Sequence, residues 1–151
     1  MDKYDKLNLL LVMLLALGML YLAAEVTDLE ERVTELESDI IETEVRINNG
    51  TAERKSTVGV VKGSTALQAL EKEATVETES YTGLGEMIVS IDGVENNETE
   101  NTFWLTGTRK GGEEEWQSAE KSASEIRLEG GQQVLFWYGN PEEAPFEVPI
   151  Q

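Results

Sequence analysis

The sequence predicts an α+β protein in which an N-terminal transmembrane helix continues into a heptad stalk and then into a small domain of mixed sheet. Three observations predict it. An uncharged run lies near the N-terminus, and a heptad pattern follows it. Beyond Asn48-Asn49-Gly50 the chain changes to short apolar runs separated by glycine turns. The resulting divisions are residues 1–24 for tip and span, 25–50 for stalk, 51–139 for domain and 140–151 for a proline-rich tail.

Leu7 to Ala24 carries no charge and has only Asn8 and Tyr21 as polar groups. A helix of that length rises about 27 Å, enough to cross a slightly thinned hydrocarbon core. Lys3 and Lys6 precede it and the first base beyond it is Arg32. The positive-inside rule therefore puts the N-terminus in the cytoplasm and the rest outside the cell membrane. The rival is a cleaved signal peptide, since Leu22-Ala23-Ala24 loosely resembles a cleavage site. The apolar run is longer than the core of most signals, which favours retention.

Past the span, Val26, Val33, Ile40 and Ile47 fall at heptad a, and Leu22, Leu29, Leu36 and Thr43 at d. β-Branched a residues with leucine at d suit a parallel two-stranded coil. Val26, Leu29, Val33, Leu36, Ile40 and Ile47 are thus the expected helix-partner interface. In a homodimer Glu25 would meet Glu30 and Asp39 would meet Glu44, while only Arg32 with Glu37 attracts. A homodimer and a more basic partner helix both remain open. Gly50 suits the left-handed C-terminal cap of such a stalk.

The charge is lopsided. Of 30 acidic and 12 basic residues, two of each precede Ala24, which leaves 28 against 10 beyond it. Such a surface repels nucleic acid. The chain has no cysteine and no histidine, which removes disulfides, thiolate–zinc sites, cysteine nucleophiles and the usual neutral-pH base. Glu113-Glu114-Glu115 reads as a solvated loop, Asp92 as a turn former before Gly93, and Ser64 and Thr65 as helix caps. The expectation is a protein with no catalytic residue, no metal site and no cofactor.

In the domain, Val58–Val61, Thr75–Glu79, Met87–Ile91, Phe103–Leu105 and Val134–Tyr138 read as strands. Thr65 and Gln68 are spaced for a capping box opening one helix, whose Leu67, Leu70 and Ala74 would face a sheet. Trp104, Trp137 and Tyr138 divide between core and surface. Trp116, between Glu115 and Gln117, is the best outward ring for a partner or ligand. Asn49-Gly50-Thr51 and Asn97-Glu98-Thr99 match the N-glycosylation pattern at loop positions on the side assigned outside. Acid excess and sequons together suit a salt-adapted or archaeal envelope. The tail, with Pro141, Pro145 and Pro149, reads as an extended free segment, with a neighbouring subunit as the alternative site for its apolar residues.

The blocks Val60-Val61-Lys62-Gly63-Ser64-Thr65-Ala66-Leu67-Gln68-Ala69-Leu70, Ile88-Val89-Ser90-Ile91-Asp92-Gly93-Val94, Phe103-Trp104-Leu105-Thr106-Gly107 and Leu128-Glu129-Gly130-Gly131-Gln132-Gln133-Val134-Leu135-Phe136-Trp137-Tyr138 resemble, in order and spacing, the transcobalamin C-terminal-like family. The resemblance implies a β-grasp-like domain, of a kind found in many anchored or secreted prokaryotic proteins and mostly of unknown function. Two turns depart from the family: Thr106 stands where asparagine is usual, and Gly131-Gln132 where Gly-Asp is usual. In the vertebrate vitamin carriers the similar domain covers a corrinoid held against a second, helical domain, which this sequence lacks. Three functions follow as expectations. The first is a non-catalytic accessory subunit of a membrane redox or ion-transport complex, docked on integral membrane subunits and an extracytoplasmic protein partner. The second is a surface protein binding a corrinoid-type ligand, and the third an envelope spacer or adhesin.

Overall fold

A computed structural model describes residues 3–83 and 85–148. The chain divides into two units between Asp39 and Ile40. The first is one helix, α1 (Lys3–Ser38). Within it Asn8–Glu30 is long and apolar enough to cross a membrane, with mean hydropathy 2.4 and no part of its apolar stretch buried. A membrane span and a signal sequence share those properties.

The heptad stalk does not continue to Gly50. The helix stops at Ser38, and the second unit begins with strand β1 (Ile40–Asn48). Thr43, Val45 and Ile47 repeat at every second residue, and all three are buried. They are β-branched, a class that loses χ1 freedom in a helix and packs well on a pleated sheet. Ile40 and Ile47, expected on one helical seam, instead occupy opposite faces of this strand. Ile40 is 54% exposed and Ile47 6%. Among the seam residues that stay helical, Val26, Leu29 and Val33 are exposed, and the side chain of Leu36 lies outside the described set.

From β1 the chain turns at Asn49–Ala52 into β2 (Glu53–Val61), which pairs antiparallel with it. Helix α2 (Ala66–Glu71) follows and opens with the expected capping box: Gln68 N–H donates to Thr65 Oγ1, and Thr65 N–H to Gln68 Oε1. Reciprocal capping of this kind is worth about 1 kcal/mol. Leu67 and Leu70 are buried, and Ala74 is partly buried against the same core. Next come β3 (Val76–Tyr81), β4 (Gly85–Ile91) and the short β5 (Val94–Glu95), which form a three-stranded antiparallel sheet. At its β4–β5 turn, Asp92 has φ of 50°. Its carboxylate accepts from Thr75 N–H and pairs with Arg54 of β2 at 2.8 Å, tying this sheet to the hairpin.

β6 (Phe103–Arg109), β7 (Gln117–Ser118) and β8 (Gln133–Gly139) complete a five-stranded sheet of order β2-β1-β8-β6-β7. β8 runs parallel to β1 and antiparallel to β6. The core lies on one face of this sheet, where Val45, Val60, Val134 and Phe136 meet Leu70 of α2 and Ile91 of β4. The tail is not free over its described part. A 3-10 turn at Pro141–Glu143 carries it to Phe146, which is 7% exposed and packs on Gly107 of β6. Pro149 and Ile150 lie outside the described residues.

Candidate functional site

Trp104 sits on β6 where the two sheets come together, and three interactions hold it. Its indole N–H donates to the Val94 carbonyl at 2.7 Å, and its backbone N–H donates to Asn96 Oδ1 at 2.8 Å. Its ring lies 5.2 Å from that of Tyr138, tilted by 50°, a geometry favoured by ring quadrupoles. At 7% exposure it forms the floor, rather than the rim, of a cleft of about 420 Å³. One wall is Glu86, Met87 and Ile88 of β4, and the opposite wall is the segment Ser118–Glu125.

That second wall is tethered at both sides. Leu67 N–H donates to the Ala123 carbonyl and Ala66 N–H to the Ile126 carbonyl, so the start of α2 holds it from one side. On the other, Ser124 Oγ accepts from Glu86 N–H and shares a hydrogen bond with Ser122 Oγ. Hydrogen bonds within the chain therefore fix this wall on both sides. Its charged lining is Glu86, Glu120 and Glu125 against Lys121. The small residues of Ser122-Ala123-Ser124 carry no motif that marks them in the sequence.

The other aromatic candidates are placed elsewhere. Tyr138 shares the core face with Trp104, and its hydroxyl donates to the Glu95 carbonyl at 2.9 Å. Trp137 is half-buried on the opposite face, over Gly139. Trp116 is also half-buried, because two guanidinium groups cover it: Arg109 at 4.4 Å and Arg46 at 5.7 Å from the ring centre. Arg46 is bridged to Glu44 at 2.7 Å and Glu53 at 3.3 Å, and Lys55 reaches Glu44 at 2.8 Å. Burial pushes the Glu44 carboxyl up, but hydrogen bonds and positive charge from Lys55 and Arg46 outweigh it and hold the pKa below the ordinary value. The expected outward ring is thus already engaged in a network that joins β1, β2 and β6.

Val26, Leu29 and Val33 line one open face of α1 with Glu30. Asn49 and Asn97 both lie in turns of the second unit. Glu113, Glu114 and Glu115 are exposed, and Lys110 N–H donates to Glu113 Oε2. Among the described residues no three acidic side chains come together as a metal site.

Residues 63–106, from the turn before α2 into β6, match a family described as "Domain of unknown function (DUF4430)". A search of curated proteins gives no match. Among solved structures, haptocorrin in complex with Cbi matches with TM-score 0.54 and 21% identity, over 67% of this chain and 25% of that one. A protein from Ruminococcus gnavus, provisionally described as metal binding, matches with TM-score 0.54 and 19% identity, over 66% of this chain and 97% of that one. The chain thus spans a quarter of haptocorrin, and identities this low speak for fold alone. The second unit has the fold of a transcobalamin-like domain of unknown function.

Proposed function

We propose that the protein is a non-catalytic, membrane-tethered binding module whose head faces away from the cytoplasm and takes a small planar amphiphile in the Trp104 cleft. The observation that carries this reading is the cleft itself, with an indole floor and a tethered wall. The indole floor supplies apolar contact, and the charged rim of Glu86, Glu120, Lys121 and Glu125 supplies polar handles that would orient a ligand. The likeness to a protein solved with Cbi makes a corrinoid-type molecule, which is larger than the cleft and would seat only an edge of its ring there, the first ligand to try. The hairpin, the crossing helix and the parallel return of β8 beside β1 support a β-grasp-type reading of the head. Lys3 and Lys6 before the span, with 28 acids beyond it, support the outward orientation.

Titrating the full-length protein in detergent with cobinamide, while following tryptophan fluorescence and the visible bands of the ligand, tests it. Saturable quenching that Trp104→Leu weakens at least tenfold is expected. A linear response up to millimolar ligand sinks the reading.

A second reading is an accessory subunit of a membrane complex, favoured by the exposure of Val26, Leu29 and Val33 on one face of α1. The three-four spacing of Val26, Leu29 and Val33 suits a partner helix. Gentle detergent purification should then bring down integral subunits in fixed ratio. Recovery of the chain alone, or as a homodimer, counts against it.

A further inference from the structure

The two sequons stand 48 residues apart in the chain, yet the fold brings them to one end of the head. Asn49 lies in the β1–β2 turn, where Gly50 packs on Tyr138; a Cβ built on Gly50 would sit 3.5 Å from the Tyr138 carbonyl oxygen and 3.9 Å from its ring. The hydroxyl of that tyrosine hydrogen-bonds Thr102 Oγ1 at 3.0 Å. Thr102 in turn pairs with Asn97 through two backbone hydrogen bonds of 2.8 and 3.0 Å. Tyr138 therefore bridges the two acceptor loops. This end lies nine strand residues from Ile40, where the chain enters the head, a distance of about 26 Å.

Both turns use the asparagine as a backbone acceptor. Asn49 Oδ1 accepts from the backbone N–H of Thr51 and Ala52 and from the Thr51 hydroxyl, and Asn97 Oδ1 from the backbone N–H of Thr99 and Glu100. Aspartate would make these bonds equally well. In a chain with 30 acids, the turn alone does not account for asparagine twice. Nor does it account for the second threonine, since the Thr99 hydroxyl makes no hydrogen bond among the described residues. Neither Nδ2 donates one there either; Asn49 is exposed and Asn97 half-buried.

We propose that Asn49 and Asn97 are both N-glycosylated, giving the end of the head farthest from Ile40 a paired sugar cap. The donor is a lipid-phosphate-linked oligosaccharide. The bond from Asn Nδ2 to the sugar C1 forms as the C1–O bond to the lipid phosphate breaks. The Nδ2 proton goes to a base of the transferase, and the lipid phosphate leaves. The proposal rests on the outward orientation of the head proposed above.

The test uses the full chain purified from its own cells, with tandem mass spectrometry of the peptides holding Asn49 and Asn97. Intact cells are first treated with a membrane-impermeant amine reagent, so that labelling of Lys62 and Lys110 reports orientation independently. Asn49→Asp and Asn97→Asp preserve the turn acceptor while removing the amide. Each is expected to remove the mass of one glycan, and the double variant to return to the unmodified 16.8 kDa. Thr99→Val should strip Asn97 alone. Bare asparagines with Lys62 and Lys110 labelled overturn the glycan proposal and leave the orientation standing. Bare asparagines with both lysines unlabelled overturn both.

Discussion

Phe146 closes on Gly107 so tightly that a Cβ on that glycine would lie 2.6 Å from the Phe146 ring. The contact folds a proline-rich tail back on the outer face of the sheet. Gly107→Ala should destabilise the head by about 2 kcal/mol, through displacement of the ring, and Phe146→Ala by about 3 kcal/mol. Urea unfolding followed by tryptophan fluorescence measures both, since all three tryptophans lie in the head. A double variant costing the same as Phe146→Ala alone would show that the two residues act through one contact.

Ile40 and Ile47 separate a strand from a stalk. Ile47→Ala should cost about 3 kcal/mol, because it opens a cavity under β1, whereas Ile40→Ala should change stability by less than about 0.5 kcal/mol. Equal effects of the two, with weakened self-association, would restore the coiled-coil reading.

The Glu44 network makes stability depend on acid. The folded pKa lies below the ordinary value of 4.5, so the contribution is present in full above the unfolded value. It is lost as pH falls through the folded one. Lys55 is about half exposed and screens easily, so Glu44→Gln should cost only about 1 kcal/mol near neutrality. The variant should also flatten the fall in stability between about pH 5 and pH 3. An unchanged slope over that range would remove Glu44 as the source.

Trp104→Phe keeps an aromatic ring but removes the donor to the Val94 carbonyl together with half of a buried indole. The expected loss is about 2–4 kcal/mol, an unpaired acceptor plus the cavity left behind. Tyr138→Phe, which frees the Glu95 carbonyl and the Thr102 hydroxyl but leaves the ring in place, should cost less. Denaturant midpoints at constant m-value decide the order.

Much of this fold was legible where one local rule acted alone. Thr65 and Gln68 announced their helix by spacing, and Asp92-Gly93 announced its turn. Ile40 to Ile47 satisfied two periods at once, since β-branched residues at alternate positions also fell on heptad sites. Strand pairing made the choice: β2, just across the Asn49–Ala52 turn, pairs along the whole of β1, and β8, from the far end of the chain, closes the other edge. Trp116 looked outward because its neighbours are polar. Its actual neighbours are Arg46 and Arg109, supplied by other strands. The cleft wall at Ser122–Ser124 is visible only as small residues, whose use depends on α2 and β4 standing on either side.

The parallel pairing of β1 with β8 has a consequence for how the head is made. The first strand to emerge waits with one edge open until the last has followed it. A chain stalled or clipped before Gln133 would leave β1 and β6 both with unsatisfied edges, the condition under which strands recruit copies of themselves. Products ending before Gln133 are therefore expected to aggregate more readily than the full chain.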